Sequence, residues 1–109
     1  MSYNVLTIPP FDRQLKRLSK KYPSLKNEFA KLLESLERMP EQGSSLGNNC
    51  YKIRISIASK GKGKSGGARV ITNFVVSEDT VFLLSIFDKS EKANLTDGEL
   101  LELLKYVPE

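Results

Sequence analysis

The chain has 109 residues, 39% hydrophobic and 28% charged, the size and composition of one folded domain over residues 1–109 rather than of a disordered segment. It has no histidine and a single cysteine, Cys50. That excludes a Ser-His-Asp triad, a histidine-based metal site, an internal disulfide and a cysteine-based zinc site. The net charge of +4 is unevenly placed: from Gln42 to Ser77 there are six cations and no anion, and the rest of the chain sums to −2. A cationic excess confined to one stretch suits a polyanion.

In chain order, residues 3–8 (YNVLTI) are rich in β-formers and predict a first strand, ended by Pro9 and Pro10. Phe11, Leu15, Leu18 and Tyr22 then recur at helical spacing, and Pro10 fits the helix start, where its missing N–H costs nothing. Arg13, Lys16, Arg17, Lys20 and Lys21 fill the other positions. They read as a solvated face or as a set of phosphate contacts. Pro23 breaks this helix, and Ser24 is placed to cap a second one, in which Leu25, Phe29, Leu32, Leu36 and Met39 repeat up to Pro40. So short a break predicts an antiparallel helical hairpin.

Residues 41–49 (EQGSSLGNN) have the composition of a loop. A strand is expected over Cys50–Ala58, with Tyr51, Ile53, Ile55 and Ile57 alternating with Lys52, Arg54 and Ser56. Cys50 reads as a buried thiol. Lys52 and Arg54 share the face opposite the apolar set, with Cα atoms roughly 6–7 Å apart, a spacing that suits two cations on one phosphodiester. Residues 59–68 (SKGKGKSGGA) form a glycine-rich basic loop carrying Lys60, Lys62 and Lys64. Strands over Arg69–Val76 and Val81–Phe87, joined through Ser77–Thr80, complete a three-stranded antiparallel meander. Thr96-Asp97-Gly98-Glu99 is a capping box flanked by Leu95 and Leu100, so a last helix is expected from Asp97 to about Tyr106.

The segment ASKGKGKS has the loose form of a nucleotide-binding P-loop, but a P-loop opens directly onto a helix, and here a strand follows. What remains is a phosphodiester site built from Lys52, Arg54, the loop lysines and Arg69. Cutting RNA there needs a proton taken from the 2′-OH, charge stabilised at phosphorus and a proton given to the 5′-oxygen. Arginines can do the second, and lysines lowered in pKa by crowded cations can do the others. A binding surface without chemistry is the alternative. The start SYNVLTIPP lacks the basic, apolar pattern of a signal peptide, and no apolar run approaches the roughly 20 residues of a membrane span, so a cytoplasmic location with no membrane partner is expected.

The strand CYKIRI, the downstream RVI, the run VFLLSIFDKSEK and the leucine-rich last helix resemble RelE/HigB-type toxins of bacterial type II toxin–antitoxin modules. The longer loop ASKGKGKSGGARVI is especially similar to the HigB-like branch. The resemblance implies an α+β, microbial RNase-like fold: N-terminal strand, helical hairpin, meander and C-terminal helix. It also implies ribosome-dependent, metal-independent cleavage of mRNA that inhibits translation, no cofactor, and a cognate antitoxin, the ribosome and mRNA as partners. Carried over, Arg69 stabilises the transition state, Lys52 and Arg54 position the phosphate, and Lys64 takes part in proton transfer. Lys60, Lys62 and Lys89 become RNA- or ribosome-binding residues. Three positions depart from the pattern: Phe87 where many HigB-like members have tyrosine, Ser90 where RelE has arginine, and Thr96 where RelE has tyrosine. A ParE-like gyrase-binding toxin shares this fold and is the competing function, with an inactive nucleic-acid-binding module as a third.

Overall fold

The computed structural model describes residues 2–60 and 67–108. In chain order it runs β1 (Asn4–Thr7), α1 (Pro9–Lys21), α2 (Leu25–Arg38), β2 (Ser44–Gly47), β3 (Cys50–Ile55), a 3-10 turn (Ala58–Lys60), β4 (Ala68–Val75), a 3-10 turn (Val76–Glu78), β5 (Thr80–Asp88) and α3 (Asp97–Leu104). This is the expected α+β arrangement, with one strand more than the expected four. The five strands lie in the order β1-β5-β4-β3-β2. The last four form antiparallel neighbours, while β1 joins the other side of β5 in parallel, the chain between them running through α1, α2 and the other three strands.

The extra strand, β2, lies inside the segment expected to be loop. It pairs Ser44 with Lys52 and Ser45 with Tyr51, and every one of its residues is exposed. An edge strand with no buried face carries no alternation by which to recognise it. Its hairpin turns at Asn48 and Asn49, both at positive φ (53° and 59°), a conformation that asparagine tolerates better than most residues.

Strand β3 stops at Ile55, three residues before the expected end at Ala58. Its partner β4 begins opposite Ile55, at Ala68, so the ladder has no further rung. Beyond it, side chains from the start of α2 take over: Glu28 Oε2 accepts from the Ala58 N–H at 2.6 Å and Ser24 Oγ from the Ser59 N–H at 3.0 Å. Ser24 therefore does not cap α2 with its side chain as expected; its hydroxyl bonds to Glu28 Oε1 and Ser59 Oγ instead. Strand β5 starts at Thr80 and ends at Asp88, one residue longer at each end than expected, and all nine residues are buried.

Both faces of the sheet are used. α1 packs on β5, with Phe11 and Leu18 fully buried, and Phe11 meets Phe29 of α2 at a ring separation of 5.6 Å. Where β1 ends at Thr7, β5 loses its parallel neighbour, and Gln14 of α1 fills in: its Oε1 accepts from the Ile86 N–H at 3.0 Å and from the Ser85 hydroxyl at 3.0 Å. The capping box of α3 forms as expected, Thr96 Oγ1 accepting from Glu99 N–H and Glu99 Oε1 from Thr96 N–H, although the helix ends at Leu104 rather than near Tyr106. Among the described residues, no helix is long and apolar enough to cross a membrane.

Gly67 sets the spacing at the start of β4. A Cβ there would lie 2.0 Å from the Ile55 carbonyl oxygen, a backbone atom that cannot rotate away. Gly67→Ala is expected to cost about 1–3 kcal/mol by forcing β3 and β4 apart at this end. Urea denaturation measures it, and an unchanged midpoint would show that the strands part there without penalty.

Candidate nucleic-acid interface

The register of β3, β4 and β5 decides which side chains meet. Arg54 pairs with Arg69 and Arg69 with Phe87; two rungs away Lys52 pairs with Ile71 and Ile71 with Ser85. Directly paired residues point to the same side of a sheet, so these two rows share a face. The alternate rungs, Ile53 with Val70 and Val70 with Ile86, put buried aliphatic side chains on the other.

The Arg54–Arg69 pair is the electrostatic centre of this face. Opposed residues on antiparallel strands have Cβ atoms about 5 Å apart, and like charges in that position repel. Arg54 is exposed, but Arg69 is only 2% exposed. One of its Nη1 bonds goes to the carbonyl of Ala68 at 3.1 Å. Burial, and after it the Arg54 charge, lower the Arg69 guanidinium from its ordinary value. An arginine still keeps its charge near neutrality, so the chain holds two cations side by side against their mutual repulsion. As expected, Arg69 lies in a strand; the structure adds that it is shielded from water.

Lys52 lies on the same face but is held differently. Its Nζ donates to Asn94 Oδ1 at 2.9 Å, in the segment leading to α3. Lys52, Ile71, Asn94, Leu95 and Leu100 line one small cleft, so this segment and α3 cover the lower row of the face and leave the arginine row beyond it. Lys92 of the same segment is ion-paired with Glu99. That pairing, with the bond from Thr96 N–H, holds the Glu99 carboxyl below its usual range. Since the folded value is the lower one, this contribution is present above the ordinary glutamate value and is lost as pH falls through the depressed one.

Both stems of the basic loop are tied down. The first, Ala58–Lys60, hangs from Ser24 and Glu28. The second is held where the Gly67 carbonyl accepts from the Lys89 N–H at 3.1 Å. Lys89 is exposed and follows Asp88, a fully buried carboxylate. Asp88 accepts from the Tyr22 hydroxyl at 2.6 Å and from the Ser90 N–H and hydroxyl at 2.9 and 2.8 Å. Lys62, Lys64 and the side chain of Lys60 lie outside the described residues.

Of the sequence-derived set, the register brings Lys52, Arg54 and Arg69 to one face, and Lys89 sits at the loop stem. Sequence reasoning missed Glu28, Tyr22, Asp88 and Asn94, each of which makes a contact to a distant part of the chain. The three departures also have places. Phe87 stands beside Arg69 in the same row, Ser90 has its hydroxyl committed to Asp88, and Thr96 has its hydroxyl committed to capping α3. Among the described residues, no three of Cys, Asp and Glu converge as a metal cage would need.

A mixed five-stranded sheet that opposes Arg54 to Arg69, with helices packed against it, defines a small α+β protein. A family model described as "RelE toxin of RelE / RelB toxin-antitoxin system" matches residues 12–108, and the chain belongs to that family. Its fold is similar to that of a doubly substituted E. coli toxin RelE in the free state. The TM-score is 0.67 and the identity 17%, with 99% of this chain and all of the other covered. It is also similar to the Mycobacterium tuberculosis RelBE2 toxin–antitoxin complex (TM-score 0.55, identity 18%, 81% and 92% covered). The intact E. coli RelBE toxin–antitoxin complex gives a TM-score of 0.52 at 20% identity, with 80% and 96% covered. At these identities the likeness is one of fold.

Because Arg54 and Arg69 repel across the ladder, replacing the exposed one by an uncharged side chain of similar length should not weaken the fold. Arg54→Met is expected to leave stability unchanged or raise it by about 0.2–1 kcal/mol. A clear drop in the urea midpoint would mean that the pair is held together by something stronger than its repulsion.

Proposed function

We propose that this chain is a ribosome-dependent mRNA endoribonuclease, the toxin of a type II toxin–antitoxin pair, acting in the cytoplasm as a single domain and neutralised by a cognate antitoxin. The observation that carries this reading is the Arg54–Arg69 pair. Two guanidinium groups forced together, one of them shielded from water, lower the cost of placing charge at a phosphodiester, and such preorganised charge gains strength where water is excluded. Solved complexes of RelE with its antitoxin support the expectation of an antitoxin partner.

In the proposed reaction the 2′-oxygen of one nucleotide attacks the adjacent phosphorus and the P–O5′ bond breaks. The products are a 2′,3′-cyclic phosphate and a free 5′-hydroxyl. The proton lost by the 2′-OH goes to a base on the protein, and an acid on the protein supplies one to the departing 5′-oxygen. Arg69 and Arg54 hold the non-bridging oxygens as charge builds on them. Lys52 positions the same phosphate once its ammonium exchanges Asn94 for the ligand. Lys64 is assigned to proton transfer, and Lys60, Lys62 and Lys89 to the flanking RNA. The hydroxyls of Thr96 and Ser90 are engaged elsewhere, so neither is assigned a proton-transfer role.

The test is controlled induction followed by primer extension on a translated message. Wild type should arrest growth and cut only translated mRNA. Arg69→Ala, and the exposed Arg54→Ala as a variant that spares the core, should each lower cutting by about a hundredfold or more. Arrest without cuts would move the reading to a gyrase-directed toxin. Undiminished cutting by both variants would remove the arginine row from the mechanism. Reversing the charge of Lys60, Lys62 and Lys64 together to Glu should weaken association with ribosomes, measured by co-sedimentation; unchanged association would make the loop a bystander.

A further inference from the structure

Helix α1 carries cations that the site above does not use. Arg13, Lys16, Arg17, Lys20 and Lys21 are all exposed, and their side chains surround one shallow hollow of about 560 Å³. On a helix these positions fall within an arc of roughly 140°, opposite the buried Phe11 and Leu18, and span about 12 Å along the axis. Among the described residues only Arg17 of the five is ion-paired, with Glu91 at 3.3 Å.

This arrangement works against the helix. Arg13 faces Lys16 and Arg17 at i+3 and i+4, Lys16 faces Lys20, and Arg17 faces Lys20 and Lys21; each like-charged pair is unfavourable. The helix dipole offsets this only for Lys20 and Lys21 in the last turn, not for Arg13 near the start. Solubility alone would be served as well by mixed charges. The stripe also adjoins the candidate site: the Arg17–Glu91 pair ties it to the turn after β5, which carries Lys89 against the loop stem at Gly67.

The geometry points to α1 as a second phosphate-binding surface that grips the backbone of double-helical RNA, beside the strand site that would take the scissile phosphate. The choice of RNA rests on the nuclease reading above; the choice of a phosphate backbone rests on the stripe alone. A membrane surface is disfavoured because an interfacial helix needs a free apolar side, and that of α1 is buried in the core.

The test uses purified protein and a 20-base-pair RNA duplex, with a DNA duplex of the same sequence and anionic phospholipid vesicles as competitors. The variant is Arg13→Gln, Lys16→Gln, Lys20→Gln and Lys21→Gln together, with Lys16→Gln and Lys20→Gln as a milder second variant should the first fold poorly. Glutamine keeps helix propensity, and all four positions are exposed. At 100 mM salt the fourfold variant should bind duplex RNA at least about tenfold more weakly, and the dependence of log Kd on log salt should flatten by two or more. Unchanged affinity and slope would overturn the inference. Equal binding to the DNA duplex would remove the assignment to RNA, and stripe-dependent binding to vesicles in preference to RNA would replace it with a membrane surface. No ribosome or cleavage enters this measurement. Stripe-dependent RNA binding without message cutting would therefore sink the nuclease reading alone, and message cutting with stripe-independent binding would sink the stripe alone.

Discussion

The register of β3 against β4 is the constraint from which the rest of this molecule follows. The strands must bury Ile53 against Val70, and Val70 against Ile86, in the core. Side chains alternate along a strand, so this choice leaves no freedom for the residues between. Burying one face of the ladder necessarily opposes Arg54 to Arg69 on the other. A slip of β3 by one residue would relieve the charge repulsion but would turn Arg54 toward the core and its isoleucines away from it. Hydrophobic burial thus supplies the force that holds two like charges together.

That register needs a firm end, and the chain provides it with contacts that are far apart in sequence. Gly67 lets the backbone of β4 start in contact with the Ile55 carbonyl. Glu28 and Ser24 satisfy the N–H groups that β3 leaves behind at Ala58 and Ser59. The buried Asp88 carboxylate, bonded to Tyr22 and Ser90, fixes the end of β5 and the turn carrying Lys89. Tyr22, Ser24 and Glu28, which make the long-range bonds among these, all lie in or just after the short break between α1 and α2. The helical hairpin therefore packs the core and also fixes both stems of the basic loop.

Much of this was legible in the sequence, and what was not has physical causes. The helices α1 and α2 and the strands β3 to β5 announce themselves by apolar period, and α3 by its capping box, because each buries one face or closes its own end locally. Strand β2 has no buried face, so SSLG carried no period; the only local signal was the Asn48-Asn49 doublet at its turn. The parallel pairing of β1 with β5 depends on where two helices return the chain, which no local pattern encodes. Lys52, Arg54 and Arg69 could be named as a cationic set, since their spacing along the chain is local. The opposition of Arg54 to Arg69 could not, because register is a property of two strands. The same holds for the bonds of Glu28, Tyr22 and Asp88, whose partners lie far off in the sequence.

The two rows of the shared face show how one surface can combine stability and exposed charge. In the Lys52–Ile71–Ser85 row the segment before α3 closes over the sheet, with Leu95 and Leu100 against Ile71 and Asn94 on the Lys52 ammonium. That row contributes apolar burial and is mostly quiet electrostatically. In the Arg54–Arg69–Phe87 row Arg54 is exposed, and the buried Phe87 stands beside Arg69 as an apolar neighbour that strengthens charge interactions there. Placing the cover over one row stabilises the sheet enough to tolerate the strain in the other. The like-charged pair is therefore a local cost, carried by the packing of its neighbours.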